Sequence, residues 1–329
     1  MSVIFKNKYG ESYQGDSLKE ITKKPFLKKY KGKIDLIITS PPFDLISPKS
    51  YGNLNGIEYI KWISSFAIPL SDLLSATGSI VIELGNSYNK GEPTFSTVPI
   101  EALLEFKNRA NLHLCQEFIC HNPARLPSPV NWVNTKRERV KDSFTRLWWM
   151  SKTPHPKADN SKILRTYSPS MKQLLKGKKT NNTGKRPSGH IMTSKIVKDN
   201  SGSISPNFLE FESKERPYLF QEAENCLAIS NTRVLTEYNN FCRNNNLEVH
   251  PARIQSEIIE FFVRFLTNES DLVFDPFAGS NTTGMISQKL DRKWVSCELN
   301  IDYIKGSLIN FYNANKSELI LKRLATGSL

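Results

Sequence analysis

Residues 34–45, Ile-Asp-Leu-Ile-Ile-Thr-Ser-Pro-Pro-Phe-Asp-Leu, constrain the fold more than any other stretch of the 329-residue chain. Ile34, Leu36, Ile37 and Ile38 form a short aliphatic run that stops at Thr39-Ser40-Pro41-Pro42-Phe43. Continuous aliphatics followed by a breaker are the pattern of a strand buried on both faces of a parallel sheet. Two consecutive prolines remove two backbone donors and fix two φ angles, so the carbonyls of Ser40 and Pro41 cannot enter a helical ladder. A rigid acceptor edge beside a hydroxyl and an aromatic ring then lies at the carboxyl end of a strand, where open α/β sheets bind ligands. Taken alone, the same residues also suit an ordinary Pro-Pro turn with Phe43 in the core.

The chain is 39% hydrophobic, enough for one large core or a core and a smaller lobe. A mean hydropathy of −0.42 and the lack of a long apolar run exclude a membrane-spanning helix. The first ten residues lack a signal-peptide core, so a cytoplasmic location is expected. Five cysteines, Cys115, Cys120, Cys226, Cys242 and Cys297, are odd in number and scattered, which suggests neither a disulfide framework nor a metal site. The net charge of +13 calls for a polyanionic partner, nucleic acid before an anionic membrane surface.

Residues 12–16 read as a short strand closing on Gly15-Asp16. Residues 58–74 carry Tyr59, Trp62, Ile63, Phe66, Leu70 and Leu73 near helical period, with a kink expected at Pro69. Gly78 to Gly85 reads as a second buried strand with Glu83 near its end, which implies parallel pairing with the first. A helix over 98–110, a strand over 112–119, a stiff loop Leu126-Pro127-Ser128-Pro129-Val130-Asn131-Trp132 and an aromatic strand Leu147–Met150 follow. Residues 153–200 hold eleven Lys and Arg against two acids, +9 of the net +13. They form either a disordered linker or an insertion that contacts DNA phosphates and groove edges.

An apolar stripe through Ile254, Ile258, Ile259, Phe262, Val263, Phe265 and Leu266 predicts a helix over 250–267, with Pro251 near its start. Asp271 to Gly284 then reads as a strand, a small-residue turn and a helix start, and Trp294–Glu298 as the next strand. A dinucleotide fingerprint would place Gly where Asn281 stands, so a ligand bearing a carboxylate is favoured over a pyrophosphate. An acid about twenty residues past such a turn is placed to grip ribose hydroxyls, which favours a nucleoside-cofactor site over a plain βαβ unit.

Together, Gly15-Asp16, Thr39-Ser40-Pro41-Pro42-Phe43, His250-Pro251-Ala252-Arg253 and Asp275-Pro276-Phe277-Ala278-Gly279-Ser280-Asn281-Thr282-Thr283-Gly284 resemble the motifs of DNA amino-methyltransferases. The order, with the Ser-Pro-Pro-Phe loop ahead of the cofactor turn and a basic region between, resembles the permuted β class. The resemblance implies a circularly permuted, Rossmann-like α/β fold, the S-adenosylmethionine-dependent methyltransferase fold. A mostly parallel sheet would carry helices on both faces, plus a basic DNA-recognition insertion. Residues 1–152 would be the catalytic half, 153–245 the target-recognition region and 246–329 the cofactor-binding half. It further implies that Asp16, Asp275, Phe277, Gly279, Ser280, Thr282 and Glu298 form the site for S-adenosyl-L-methionine, released as S-adenosyl-L-homocysteine. Glu298 would hold the ribose hydroxyls and Asp16 the adenine amine.

By the same resemblance Ser40, Pro41, Pro42 and Phe43 form the target-base site, and Ser in the first position tilts the target to N4 of cytosine. Glu83 stands where a family member has Asp, so contact with the base, uptake of a proton and simple packing all stay open for it. Lys176, Lys178, Lys179, Lys185, Arg186, Ser188 and His190 are the candidate DNA contacts, and no metal is implied. The activity implied is site-specific methylation of a flipped cytosine in double-stranded DNA, by a monomer near the nucleoid. A restriction endonuclease would be its functional rather than physical partner. Adenine-N6 methylation and a non-catalytic DNA-binding protein on the same scaffold are the alternatives.

Overall fold

The aliphatic runs become the centre of one nine-stranded sheet. The structure, a computed structural model, describes residues 2–44, 54–122, 125–127, 129–177, 184–185, 188–189, 191–192, 198–211, 218–222 and 231–326. In chain order the strands are β1 (Ser2–Lys6), β2 (Gly10–Gln14), β3 (Ile34–Thr39), β4 (Leu74–Leu84), β5 (His113–His121), β6 (Phe144–Ser151), β7 (Gly184–Lys185), β8 (Ile191–Met192), β9 (Phe208–Leu209), β10 (Leu272–Asp275) and β11 (Lys293–Glu298). The large sheet has the order β1-β2-β11-β10-β3-β4-β6-β5-β9. From β2 across to β4 every pairing is parallel, and the antiparallel pairings are those of β1 with β2 and of β6 with its two neighbours. The sheet is therefore mostly parallel.

Helices cover both faces. Ile80, Ile82 and Leu84 of β4 share a core with Tyr59 and Ile63 of helix Gly56–Ser65 and with Leu103 and Phe106 of helix Val98–Arg109. On the opposite face, Phe118 packs edge-on against Phe261 and Phe262, and Trp149 against Phe265, all three from helix Ser256–Leu266. Residues alternate faces along a strand, so neighbouring positions of one strand serve the two layers.

Two expectations need correction. The stripe over 58–74 is two helices, Gly56–Ser65 and Ala67–Leu73, that meet at Phe66, rather than one helix kinked at Pro69. Pro69 has no N–H to offer Ser65, so the ladder ends before it, and Pro69 sits in the first turn of the second helix where no donor is missed. The helix expected from residue 250 starts at Ser256. The residues before it are held elsewhere: Arg253 donates to Asn239 Oδ1 (3.0 Å) and lies over the Tyr238 ring. The strand β1 and the helices Asn231–Asn244 and Ala314–Thr326 are additional elements that the periodicity did not reveal.

The chain forms two compact units, one of residues 1–158, 207–209 and 229–329 and one of residues 159–206 and 210–228. The second has a small core of its own. Arg165 makes bridges to Ser203 and Tyr218, its guanidinium lies over the Tyr218 ring, and Tyr218 stacks on Phe220 at 5.2 Å. The Tyr167 hydroxyl donates to Asp199 (2.9 Å). An ordered core distinguishes this part of the basic region from a linker.

The turn after β10 depends on Asn281, which has φ of +54°. Asn tolerates this left-handed conformation because its short amide bonds locally. Here its Oδ1 accepts from the Gly284 amide (3.0 Å) to cap helix Thr282–Lys289, and its Nδ2 donates to Ser296 Oγ on β11 (3.1 Å). We expect Asn281→Ala to cost about 2–3 kcal/mol in chemical denaturation, the sum of a lost cap and a strained φ. Asn281→Gly, free of the φ penalty, should cost less.

Candidate active site

The connection from β10 runs through helix Thr282–Lys289 to β11 on one side, while that from β3 runs through Gly56–Leu73 to β4 on the other. The adjacent carboxyl ends of β3 and β10 are therefore the switch point of the sheet, where a crevice opens. One carboxylate closes the bottom of it. Asp275 Oδ1 accepts from Thr39 Oγ1 (2.7 Å) and the Phe277 amide (3.0 Å), and its Oδ2 accepts from Thr283 Oγ1 (2.7 Å). Burial pushes this carboxyl above the usual range, and the Thr283 and Thr39 hydroxyls and the Phe277 amide pull it back in part. Both oxygens are engaged internally, so Asp275 fixes the two loops on each other and does not line the larger cavity.

That cavity, of about 560 Å³, is lined by Asp16 and Ser17 after β2, by Ser40–Phe43 after β3, by Tyr59, Trp62 and Phe66, by His250, by Phe277, and by Glu298 with the residues that follow β11. Glu298 Oε2 accepts from the Gly279 amide (2.7 Å) and its Oε1 from the Asn300 amide (2.9 Å), which aims the acid at the turn. Burial raises its pKa against these bonds. Asp16 is exposed at the rim and caps helix Ser17–Ile21 through the Lys19 amide (3.2 Å). The Phe277 ring packs on Phe66 at 5.0 Å and Trp62 at 5.6 Å, forming an aromatic wall. Gly279, with φ of +51°, lies under the His250 ring; a Cβ there would come within 2.7 Å of it. Ser280 and Thr282 line a smaller recess of about 30 Å³ that also touches Ser40, His250 and Arg253.

Periodicity places Tyr59, Trp62 and Phe66 in a core stripe, and only the tertiary arrangement puts them in the wall of the cavity. The Tyr59 hydroxyl is buried, and no group among the described residues bonds it.

Glu83 lines neither space. It sits buried on β4, next in the sheet to β3, with the hydroxyls of Thr145 and Ser40 close enough to favour its charged form. Burial pushes its carboxyl up, and the two hydroxyls and the nearby Arg125 guanidinium offset part of that shift. A Ser40 hydroxyl that spends its proton on Glu83 offers lone pairs, not a donor, to whatever enters the cavity. Phe43 takes its place against Gly85, where a Cβ would come within 2.7 Å of the ring.

Of the candidate DNA contacts, Lys176 and Ser188 are exposed in the second unit. Lys178, Lys179, Arg186 and His190 lie outside the described residues, and of Lys185 only the backbone, in β7, is described. Among the described residues no group of His, Cys, Asp and Glu is arranged to hold a metal ion, and no helix is long and apolar enough to cross a membrane.

Comparison with known proteins adds the family. A family model described as DNA methylase matches residues 34–310. The type II methyltransferase M.PvuII of Proteus hauseri is 39% identical over 310 residues, 94% of this chain and 85% of the relative. M.ScaI of Streptomyces caespitosus is 24% identical over 293 residues, 89% of this chain and 78% of that relative. Among solved structures, the PvuII DNA methyltransferase (cytosine-N4-specific) superposes with a TM-score of 0.70 at 31% identity, covering 99% of this chain and 95% of the other. A putative DNA modification methylase from Thermus thermophilus, at 14% identity and a TM-score of 0.51 over 92% and 94% of the two chains, shares the fold.

Gly85→Ala is expected to displace the Phe43 ring and lower turnover about ten-fold or more, since a misplacement of about 1 Å is enough for a larger loss. Its Tm should stay within a few degrees of wild type. Kinetics and thermal denaturation on the same preparation check both.

Proposed function

The chain belongs to the DNA methylase family, and on that premise we propose that it transfers a methyl group to N4 of a flipped cytosine in double-stranded DNA. One observation carries the reading of an exocyclic amine as the target: the Ser40 hydroxyl lines the cavity beside Pro41, within reach of buried Glu83, whose charged form it favours. The M.PvuII likeness, whose solved structure is titled cytosine-N4-specific, supports it.

S-adenosyl-L-methionine fits the residues present. The cavity is large enough for it, and the buried hydroxyl of Tyr59 in its wall has no partner among the described residues. Glu298 would take its ribose hydroxyls, Asp16 the adenine amine, Phe277 the apolar face of the purine, and Gly279, Ser280 and Thr282 the turn side of the ligand. When bound, the cofactor supplies an electrophilic methyl on a sulfonium and leaves as S-adenosyl-L-homocysteine.

The chain's own residues prepare the other reactant. The cytosine amine is a weak nucleophile because its lone pair is delocalised into the ring. The Ser40 hydroxyl oxygen and the Pro41 carbonyl each accept one of its hydrogens, which draws the nitrogen toward sp³ and aims its lone pair across the cavity. This is positioning with electrostatic stabilisation. Pro42 keeps the loop rigid. Phe43 stacks on the base and returns about 1–3 kcal/mol of the unstacking cost. As the new N–C bond forms, one amine proton passes to the Ser40 oxygen while the Ser40 proton moves to Glu83. The raised proton affinity of Glu83 suits it as the terminal acceptor.

The basic residues of the second unit would hold the DNA backbone. The reading extends to a protective role beside a restriction endonuclease, to a monomer acting on the duplex, and to a cytoplasmic place at the nucleoid.

Three kinetic outcomes are expected. Ser40→Ala should lower kcat about 10²-fold with DNA affinity nearly unchanged. Glu83→Gln should do the same and remove the acid limb of the kcat–pH profile, because protonation of Glu83 in the wild type takes away the acceptor. A carboxyl whose folded pKa is raised binds protons more tightly in the folded state, so stability falls as pH rises through that window. Glu83→Gln should therefore hold or raise the Tm at neutral pH while turnover drops. Wild-type kcat in both variants would refute the assignment. Separately, replacing Lys176, Lys178, Lys179, Lys185 and Arg186 together should weaken DNA binding and flatten the log K–log salt slope, by about 0.9 for each phosphate no longer neutralised. An unchanged slope would remove these residues from the interface.

A further inference from the structure

The loop between β5 and β6, residues 122–143, lies at the same end of the sheet as Ser40, because β5 runs in the direction of β3 and β4. It is closed at its base by the Asn122 amide on the Ser143 carbonyl (2.7 Å). Within it, the amides of Glu138 and Arg139 both donate to the Trp132 carbonyl (2.8 and 3.2 Å). Its arginines anchor it around the site. Arg125 donates to the Phe144 carbonyl (2.9 Å) and its charge is felt by Glu83, while Arg139 donates to the Pro93 carbonyl (2.5 Å) in the loop that follows β4.

A loop braced in this way has no folding reason to present aliphatic side chains to water, yet Leu126 is 80% and Val140 87% exposed. Lys141 Nζ donates to the Arg125 carbonyl (3.3 Å), a tie between the chain next to Val140 and the chain next to Leu126. Lys136, Arg137 and Lys141 of the same loop are exposed, against one exposed acid, Glu138. Exposed aliphatics on a loop with an excess of positive charge suit one polyanion with an apolar interior, the base stack of duplex DNA. Arg125, next to Leu126, acts on the charge of Glu83 behind Ser40, which sets where on the duplex the loop falls. A cytosine turned out to Ser40 leaves a gap in the stack, and aliphatic wedges that part base steps are a known way for proteins to deform a duplex.

We propose that Leu126 and Val140 form a wedge that enters the DNA stack beside the target cytosine and holds it open while the base occupies the Ser40 site. Lys136, Arg137 and Lys141 hold the flanking phosphates. The wedge rests on the reading of the site as one that acts on a flipped base. It assigns the work of opening the duplex to the loop after β5 and leaves the basic unit that of holding it.

The test uses the full chain and a short duplex carrying the site mapped by modification-detecting sequencing, in two forms, with the target cytosine paired or mispaired. L126A/V140A should lose about ten-fold or more in kcat/KM on the paired duplex. It should recover most of that on the mispaired duplex, where the base is already loose. With 2-aminopurine at the target position, wild type should raise its fluorescence on binding and the double variant should not. Leu319→Ala, an exposed aliphatic on the last helix, should match wild type throughout. Equal rates of wild type and L126A/V140A on the paired duplex would overturn the wedge, and so would an equal loss on both duplexes. A wild type that methylates neither form would refute the DNA-methylation reading, and the wedge with it, through a result that does not involve the variants.

Discussion

Asp275 joins two segments 236 residues apart, with Thr39 Oγ1 at the end of β3 and Thr283 Oγ1 on the helix after β10 both donating to its carboxylate. The loop that would act on the base and the turn that would hold the cofactor come from distant parts of the chain, and methyl transfer tolerates little error between them. A buried carboxylate with three donors imposes that precision because each of its bonds is directional and leaving one unmade costs on the order of 1–3 kcal/mol. The crevice at the switch point exists because β3 and β10 are neighbours whose connections depart in opposite directions. Asp275 then sets how far apart its two walls stand.

Two further departures from the most stable arrangement serve the same end. Glu83 is a carboxylate buried on the face of β4 away from the main core, a costly placement that puts an acceptor within reach of the Ser40 hydroxyl. Asn281 keeps a left-handed backbone at a buried turn so that its side chain can cap the helix after it through the Gly284 amide. Both are strains a chain selected for stability alone would lose.

Much of the fold was legible in the sequence because buried parallel strands announce themselves as aliphatic runs: Ile34–Thr39, the core of Leu74–Leu84 and Lys293–Glu298 stand where the pattern placed them. Helix limits were less legible. The break at Phe66 and the late start at Ser256 depend on which hydrogen bonds proline removes and on where Arg253 and His250 are anchored, and neither is visible in apolar spacing. In the site, the acids and the Ser-Pro-Pro-Phe loop could be named from residue type and order. Tyr59 could not, since a tyrosine in a helical stripe looks the same whether its hydroxyl meets protein or ligand. Glu83 could be named but not given a role: a hydrogen bond across adjacent strands follows from register, which the sequence leaves open.

The central claim is that Ser40, turned by Glu83, makes an acceptor pair with Pro41 for an exocyclic amine, and that this amine is cytosine's. Nucleoside mass spectrometry of DNA methylated by the purified wild-type protein tests it most directly. N4-methylcytosine is the product the account predicts. N6-methyladenine would contradict the assignment of the base, and 5-methylcytosine would contradict the chemistry itself.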